Sequence, residues 1–179
     1  MSTKVAVRVL ALAALGAAGL TVAVHAQQAT MSFFVTSVGK GDGANLGGLE
    51  GADAHCVALA KAAGSTKTNW KAYLSTMAPP GGDAGTNARD RIGKGPWQNA
   101  KGMVVAKNAD ELHAGATDLK KDTALTEKGE LVSGRGDAVN MHDILTGSDP
   151  QGMYSTAGGD TTCGNWTKNG DGSAIVGHH

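Results

Sequence analysis

The stretch LEGADAHCVALAKAAG, residues 49–64, decides how the rest of the chain is read. Leu49, Ala52, Cys56, Leu59, Ala60 and Ala63 recur at the spacing of a single helix face. Glu50 and Asp53 fall in the first turn and Lys61 in the last, where their charges oppose the helix dipole. Gly64 then supplies the left-handed residue that commonly ends a helix. The pattern predicts a helix over 49–64 with Cys56 on its buried face and His55 beside that face, in solvent. Directly after it, NWKAYLST (69–76) alternates, with Trp70, Ala72 and Leu74 on one side and Lys71, Tyr73 and Ser75 on the other, which predicts a strand.

Working outward, the other segments are short. MSFFVTSVG (31–39) and MVVA (103–106) are predicted strands, and NADELH (108–113) is a single capped helical turn. LTEKGELVSG (125–134) is predicted as a hairpin turning at Lys128 and Gly129. HDILTGSD (142–149) is a strand running into a turn, and GDTTCGNWT (159–167) a further strand ending at KNGDG. Between 77 and 102 lies a long loop, opened by Pro79-Pro80-Gly81-Gly82, with Ile92 and Trp97 as its packing anchors. One clear helix, short strands and long loops predict an α+β fold. Without repeats or linkers, the chain reads as one domain.

The N-terminus is read as a secretory signal peptide, residues 1–26. Lys4 and Arg8 precede an apolar run over 9–24, and Val24-His25-Ala26 fits a cleavage site before Gln27. The apolar run is rich in Ala and Gly and falls short of the ~20 strongly apolar residues a spanning helix needs. No other stretch could span a bilayer, so no membrane span is expected after cleavage, and the expected location is secreted or periplasmic. The whole chain holds 16 basic and 16 acidic residues; losing Lys4 and Arg8 leaves residues 27–179 slightly acidic. With no basic excess, nucleic acid is not an expected partner. The two cysteines, Cys56 and Cys163, would meet an oxidising compartment, where a bridge between them would close a long loop and contribute roughly 4–5 kcal/mol.

Signatures of catalysis are missing: there is no GxSxG, HExxH or CxxC. No catalytic residue is assigned and the protein is expected not to be an enzyme. His178-His179 lacks a third ligand nearby in sequence, so no metal site is expected. NGDG (169–172) is followed by no acidic residue, so calcium is not supported and no cofactor is expected. GRGD (134–137) is read as a glycine-rich turn before it is read as an adhesion motif.

The order of these segments resembles a known architecture. GADAHCVALAKAAG followed by NWKAYLST, and later HDILTGSDPQG followed by TTCGNWT, resemble the endostatin domain of collagens. FFVTS, LGGLEGADAHC, WKAYLST, NARDRIGKGPWQNAKG, LTEKG, GRGD, HDILTGS and TCGNW together resemble a family of secreted bacterial proteins labelled lectins, over most of residues 31–179. The resemblance implies a C-type-lectin-like, endostatin-like mixed domain over 27–179 with two disulfides. In that scheme Cys56 and Cys163 are half-cystines whose partners would lie beyond His179, and the chain lacks the closing C-terminal strand. Calcium-dependent sugar coordination is doubtful, because neither Glu-Pro-Asn nor Gln-Pro-Asp is present. The resemblance further implies a carbohydrate or a surface protein as partner. Tentative ligand-binding residues are Trp97, Trp166, Asn165 and Asp149: aromatic platforms with amide and carboxylate partners. Core packing is the competing reading of both tryptophans; burial of both would favour a ligand-free scaffold, and a truncated, non-functional family member is the remaining alternative.

Overall fold

The computed structural model describes residues 30–179 apart from Asp83, Ala116 and Ala157. The expected signal peptide lies outside the described residues. Among the described residues, no helix is long and apolar enough to cross a membrane.

The fold is α+β, with small antiparallel sheets and much irregular backbone. The predicted helix forms as α1, Gly48–Ala62. Gly64, at φ 94°, closes it: Gly64 N–H reaches the Lys61 carbonyl and Ser65 N–H reaches the Ala60 carbonyl. Ala52 and Ala60 are buried, and Leu49 and Cys56 pack with Ala52 against Ala72, Leu74 and Trp166. His55 is not simply solvated. It is half-buried, with Nε2 2.8 Å from the Val38 carbonyl oxygen.

Residues 69–76 keep the predicted alternation only as far as Leu74: Ala72 and Leu74 are buried and Lys71 is exposed, but Ser75, expected on the Lys71 face, is fully buried, and the segment joins no ladder. The reason is chemical. The Ala72 N–H donates to the Asp53 carboxylate at 2.8 Å, and Asp53 also takes Lys71 Nζ at 2.8 Å and Arg91 Nη2 at 2.9 Å. Asp53 thus ties α1 to the extended segment and to α2, Ala88–Arg91. Burial alone would raise its pKa, but Lys71, the Ala72 N–H and Arg91 together hold it below the usual carboxylate range.

The loop expected over 77–102 holds α2 and then β1, Trp97–Gln98, which pairs antiparallel with β2, Val104–Ala106. Ile92 and Trp97 do pack there, with Val105 and Ala106. Asn99, fully buried, holds the turn between these strands: its side-chain oxygen accepts from Lys101 and Met103 N–H, and its amide donates to the Thr123 carbonyl. The expected first strand, 31–39, is reduced to one parallel bridge, Val35 to Thr126. The capped turn forms as α3, Ala109–His113, with Asn108 accepting from Glu111 N–H at 2.8 Å. The hairpin at Gly129 forms around the Leu125–Leu131 bridge. In the GRGD turn, Asp137 accepts from Gly134 N–H and pairs with Lys121 at 2.7 Å.

The strand expected over 159–167 is overturned. Cys163–Trp166 is a single turn in which Cys163, Gly164, Asn165 and Trp166 all have φ between 46° and 66°. A left-handed turn of non-glycine residues costs about 1–2 kcal/mol per residue, so the neighbouring side chains must hold it. Asp160 accepts from Thr162 N–H at 2.9 Å and Gly164 N–H at 2.6 Å, and the Thr162 hydroxyl accepts from Asn165 N–H. Beyond it, β3, Ile144–Leu145, pairs antiparallel with β4, Val176–Gly177, joining Ile144 to Gly177 and Leu145 to Val176.

Candidate functional site

The residues singled out in the sequence turn out to be largely structural. Trp97 is 6% exposed and Trp166 0%, so neither offers a platform to a sugar ring. The Trp166 indole N–H donates to the Ser75 carbonyl at 2.8 Å, a satisfied core position. Asn165 clamps the backbone of Met77, accepting from its N–H at 2.9 Å and donating to its carbonyl at 3.2 Å. Asp149 accepts from Gln151 and Met153 N–H within its own turn, although it also lines the cleft described next. Trp166 and Asn165 therefore serve packing and backbone holding, while Trp97, though packed, borders the same cleft, as Asp149 does.

Both cysteines are free thiols and do not bridge each other. Cys163 is buried, its Sγ donating to the Ser173 carbonyl at 3.3 Å. Cys56 is half-buried; desolvation, helped by the Asp53 charge, pushes its pKa up to about 11. It stays protonated at neutral pH and is a poor nucleophile.

What the sequence did not indicate is a cleft of about 1430 Å³ that runs through the domain. Its apolar lining includes Phe33, Val35, Leu74, Trp97, Ile144 and Val176. The geometry follows from two extended segments. Residues 70–74 and 143–146 both line the cleft, and beyond it Ser75 N–H meets the Thr146 carbonyl at 2.9 Å. The cleft opens beside that bond, and Ser148, Asp149 and Pro150 line it as well.

On one wall Phe34 and Trp70 stack edge to face, centroids 4.8 Å apart. The Trp70 indole nitrogen is buried yet has no hydrogen-bond partner among the described residues. Farther along, the Tyr73 hydroxyl lies 2.8 Å from His113 Nε2, while His113 Nδ1 lies 2.6 Å from the Ala109 carbonyl. A carbonyl only accepts, so Nδ1 carries the proton and, in the neutral ring, Nε2 accepts from the tyrosine. Burial, with the Asp149 charge behind it, raises Tyr73 to about pKa 12, so this hydroxyl remains a donor.

At another edge of the cleft, Asp143 and His178 line the rim beside His142. His142 and Asp143 thus reach His178 from a segment distant in the sequence.

Neither a family model nor a curated protein sequence matches the chain.

Proposed function

We propose that the protein is an exported, non-enzymatic binding module with the lectin-like fold its sequence resembles, and that its cleft holds an extended segment of a surface partner. One observation carries this reading: the cleft is lined by irregular backbone that still has hydrogen bonds to give. The N–H groups of Phe34 and Tyr73, on segments that line it, have no partner among the described residues. A strand laid along the cleft would take up such donors, with its alternate apolar side chains facing Phe33, Leu74 and Ile144. Two titratable groups on the cleft support the non-enzymatic reading. Cys56 is held protonated and Tyr73 is raised away from neutrality.

Carbohydrate is the second reading, favoured by the Trp70 indole N–H, a donor in the cleft with no partner. The burial of Trp97 and Trp166 weakens that reading and strengthens the scaffold alternative; the cleft is what argues against a scaffold. Binding of purified protein to immobilised peptides with alternating apolar residues, beside a glycan array, tests the choice. Micromolar peptide binding that disappears in Phe34→Asp, with a blank glycan array, is the expected result. Glycan binding lost in Trp70→Ala would replace the peptide with a sugar, and no binding to either would leave a scaffold.

A further inference from the structure

We infer that His142, Asp143 and His178 form a divalent transition-metal site, best suited to Zn²⁺, at the paired ends of β3 and β4. The register of the small sheet brings them together. Ile144 opposite Gly177 is the last pair of the ladder, so the chain segments leaving it bring Asp143 and His142 beside His178. Residues 35 positions apart in the chain become neighbours, and one donor atom from each of the three lies within 4.8 Å of the others.

The donor arrangement is close to that of a bound ion. Asp143 Oδ1 lies 3.0 Å from His142 Nδ1 and 2.9 Å from His178 Nδ1, with the two imidazole centroids 4.7 Å apart. A tetrahedral zinc with bonds of ~2.0–2.1 Å holds its donors roughly 3.3 Å apart, so the two Asp143 pairs lie a few tenths of an ångström from that spacing, and the two imidazole donors, within 4.8 Å of each other, need only a side-chain adjustment. Two imidazoles and one carboxylate form a donor set that zinc accepts with an open fourth position for water. His142 is the anchored ligand, its side chain 17% exposed, while Asp143 and His178 are about 60% exposed and free to adjust.

A second observation points to a missing polar partner at the same place. Both ring nitrogens of His179 are buried and neither has a hydrogen bond among the described residues. That ring packs against Gly134 beside His142, so it belongs to this cluster. Buried polar atoms without partners are rare and call for a water or ion; a metal-bound water would supply one. Asp137, the other nearby carboxylate, is already engaged by Lys121 and is not a ligand.

The test uses full-length protein with the metal ions alone. Isothermal titration with Zn²⁺ is expected to show one site per chain, and Co²⁺ to give the visible absorption of a four-coordinate ion with nitrogen and oxygen donors. Asp143→Asn and His178→Gln, at exposed positions that leave the core intact, are each expected to weaken Zn²⁺ binding at least about tenfold. His142→Ala is expected to abolish the stoichiometric site, with circular dichroism checking its fold. Zn²⁺ should also raise the melting temperature of the wild type and leave Asp143→Asn unchanged. No stoichiometric binding, binding unaffected in Asp143→Asn and His178→Gln, or a thiolate-to-cobalt band showing that Cys56 or Cys163 takes the ion would each overturn the assignment.

Discussion

Trp166 and Trp70 sit on the same structural unit and meet opposite fates. Trp166 is fully buried against Ala52, Ala72 and Leu74, and its indole N–H is satisfied by the Ser75 carbonyl. Trp70 is half-buried, stacked edge to face on Phe34, with its N–H buried and unanswered. Around Trp166 the 70–75 segment is closed against α1, with Ala72 and Leu74 in the core. Around Trp70, at its other end, it borders the cleft and leaves a donor unanswered. In a folded protein such donors are ordinarily paired, so the contrast separates residues that build the fold from those available to a ligand.

The largest expected effect lies on the closed side. Trp166→Ala should cost about 3–5 kcal/mol, a large share of the roughly 5–15 kcal/mol that holds a domain together, seen as a large drop of the urea midpoint. The loss goes beyond volume. Trp166 is the last residue of the left-handed turn, and Gly147 approaches its ring so closely that a Cβ there would lie 2.8 Å from the ring.

Next in size is Asp53, which ties α1, the extended segment and α2 together. Asp53→Ala should cost about 2 kcal/mol, mostly from the unpaired Ala72 N–H and Arg91 guanidinium. Lys71, half-exposed, adds little because solvent screens it. The folded pKa of Asp53 is depressed, so its ionised form contributes stability that is present above the ordinary aspartate value and lost as pH falls through the folded value. The gap between the urea midpoints of wild type and Asp53→Asn should therefore hold from neutral pH down to the ordinary aspartate range and narrow as the pH falls further. A gap that stays constant below the aspartate range would show that the carboxylate's charge contributes nothing to the tie.

Much of the closed side was legible in the sequence, because local rules govern it. The stripe on α1, the Gly64 stop, the Asn108 cap and the burial of Ala72 and Leu74 all follow from spacing and residue type. The GDTTCGNWT segment misled because its alternation resembles a strand, while Asp160 and Thr162 capture the N–H groups a ladder would need. Gly164 and Asn165, the residues most tolerant of positive φ, were the available signal for that turn. The open side was not legible. A cleft between 70–74 and 143–146 depends on where two distant segments part, and the His142–Asp143–His178 group depends on the Ile144–Gly177 register. No local pattern encodes either. Trp70 was counted only as one face of a strand; its missing partner is a fact of tertiary placement.

The smallest effect is the sharpest test of the comparison, because it makes one substitution at both tryptophans. Trp166→Phe removes an N–H that the Ser75 carbonyl needs, leaving a buried acceptor unpaired at a cost of about 1–3 kcal/mol in addition to the lost ring area. Trp70→Phe removes an N–H with no partner to lose, and relieves a buried orphan, so its net change should stay within about 1 kcal/mol. The two urea midpoints, measured side by side, should differ clearly in that direction. Equal losses would mean that Trp70 is as much a core residue as Trp166, and the wall assigned to a ligand would belong to the fold. A near-neutral Trp70→Phe that also weakens ligand capture would place the indole N–H in the binding contact itself, since stability and binding would then respond to different atoms of the same side chain.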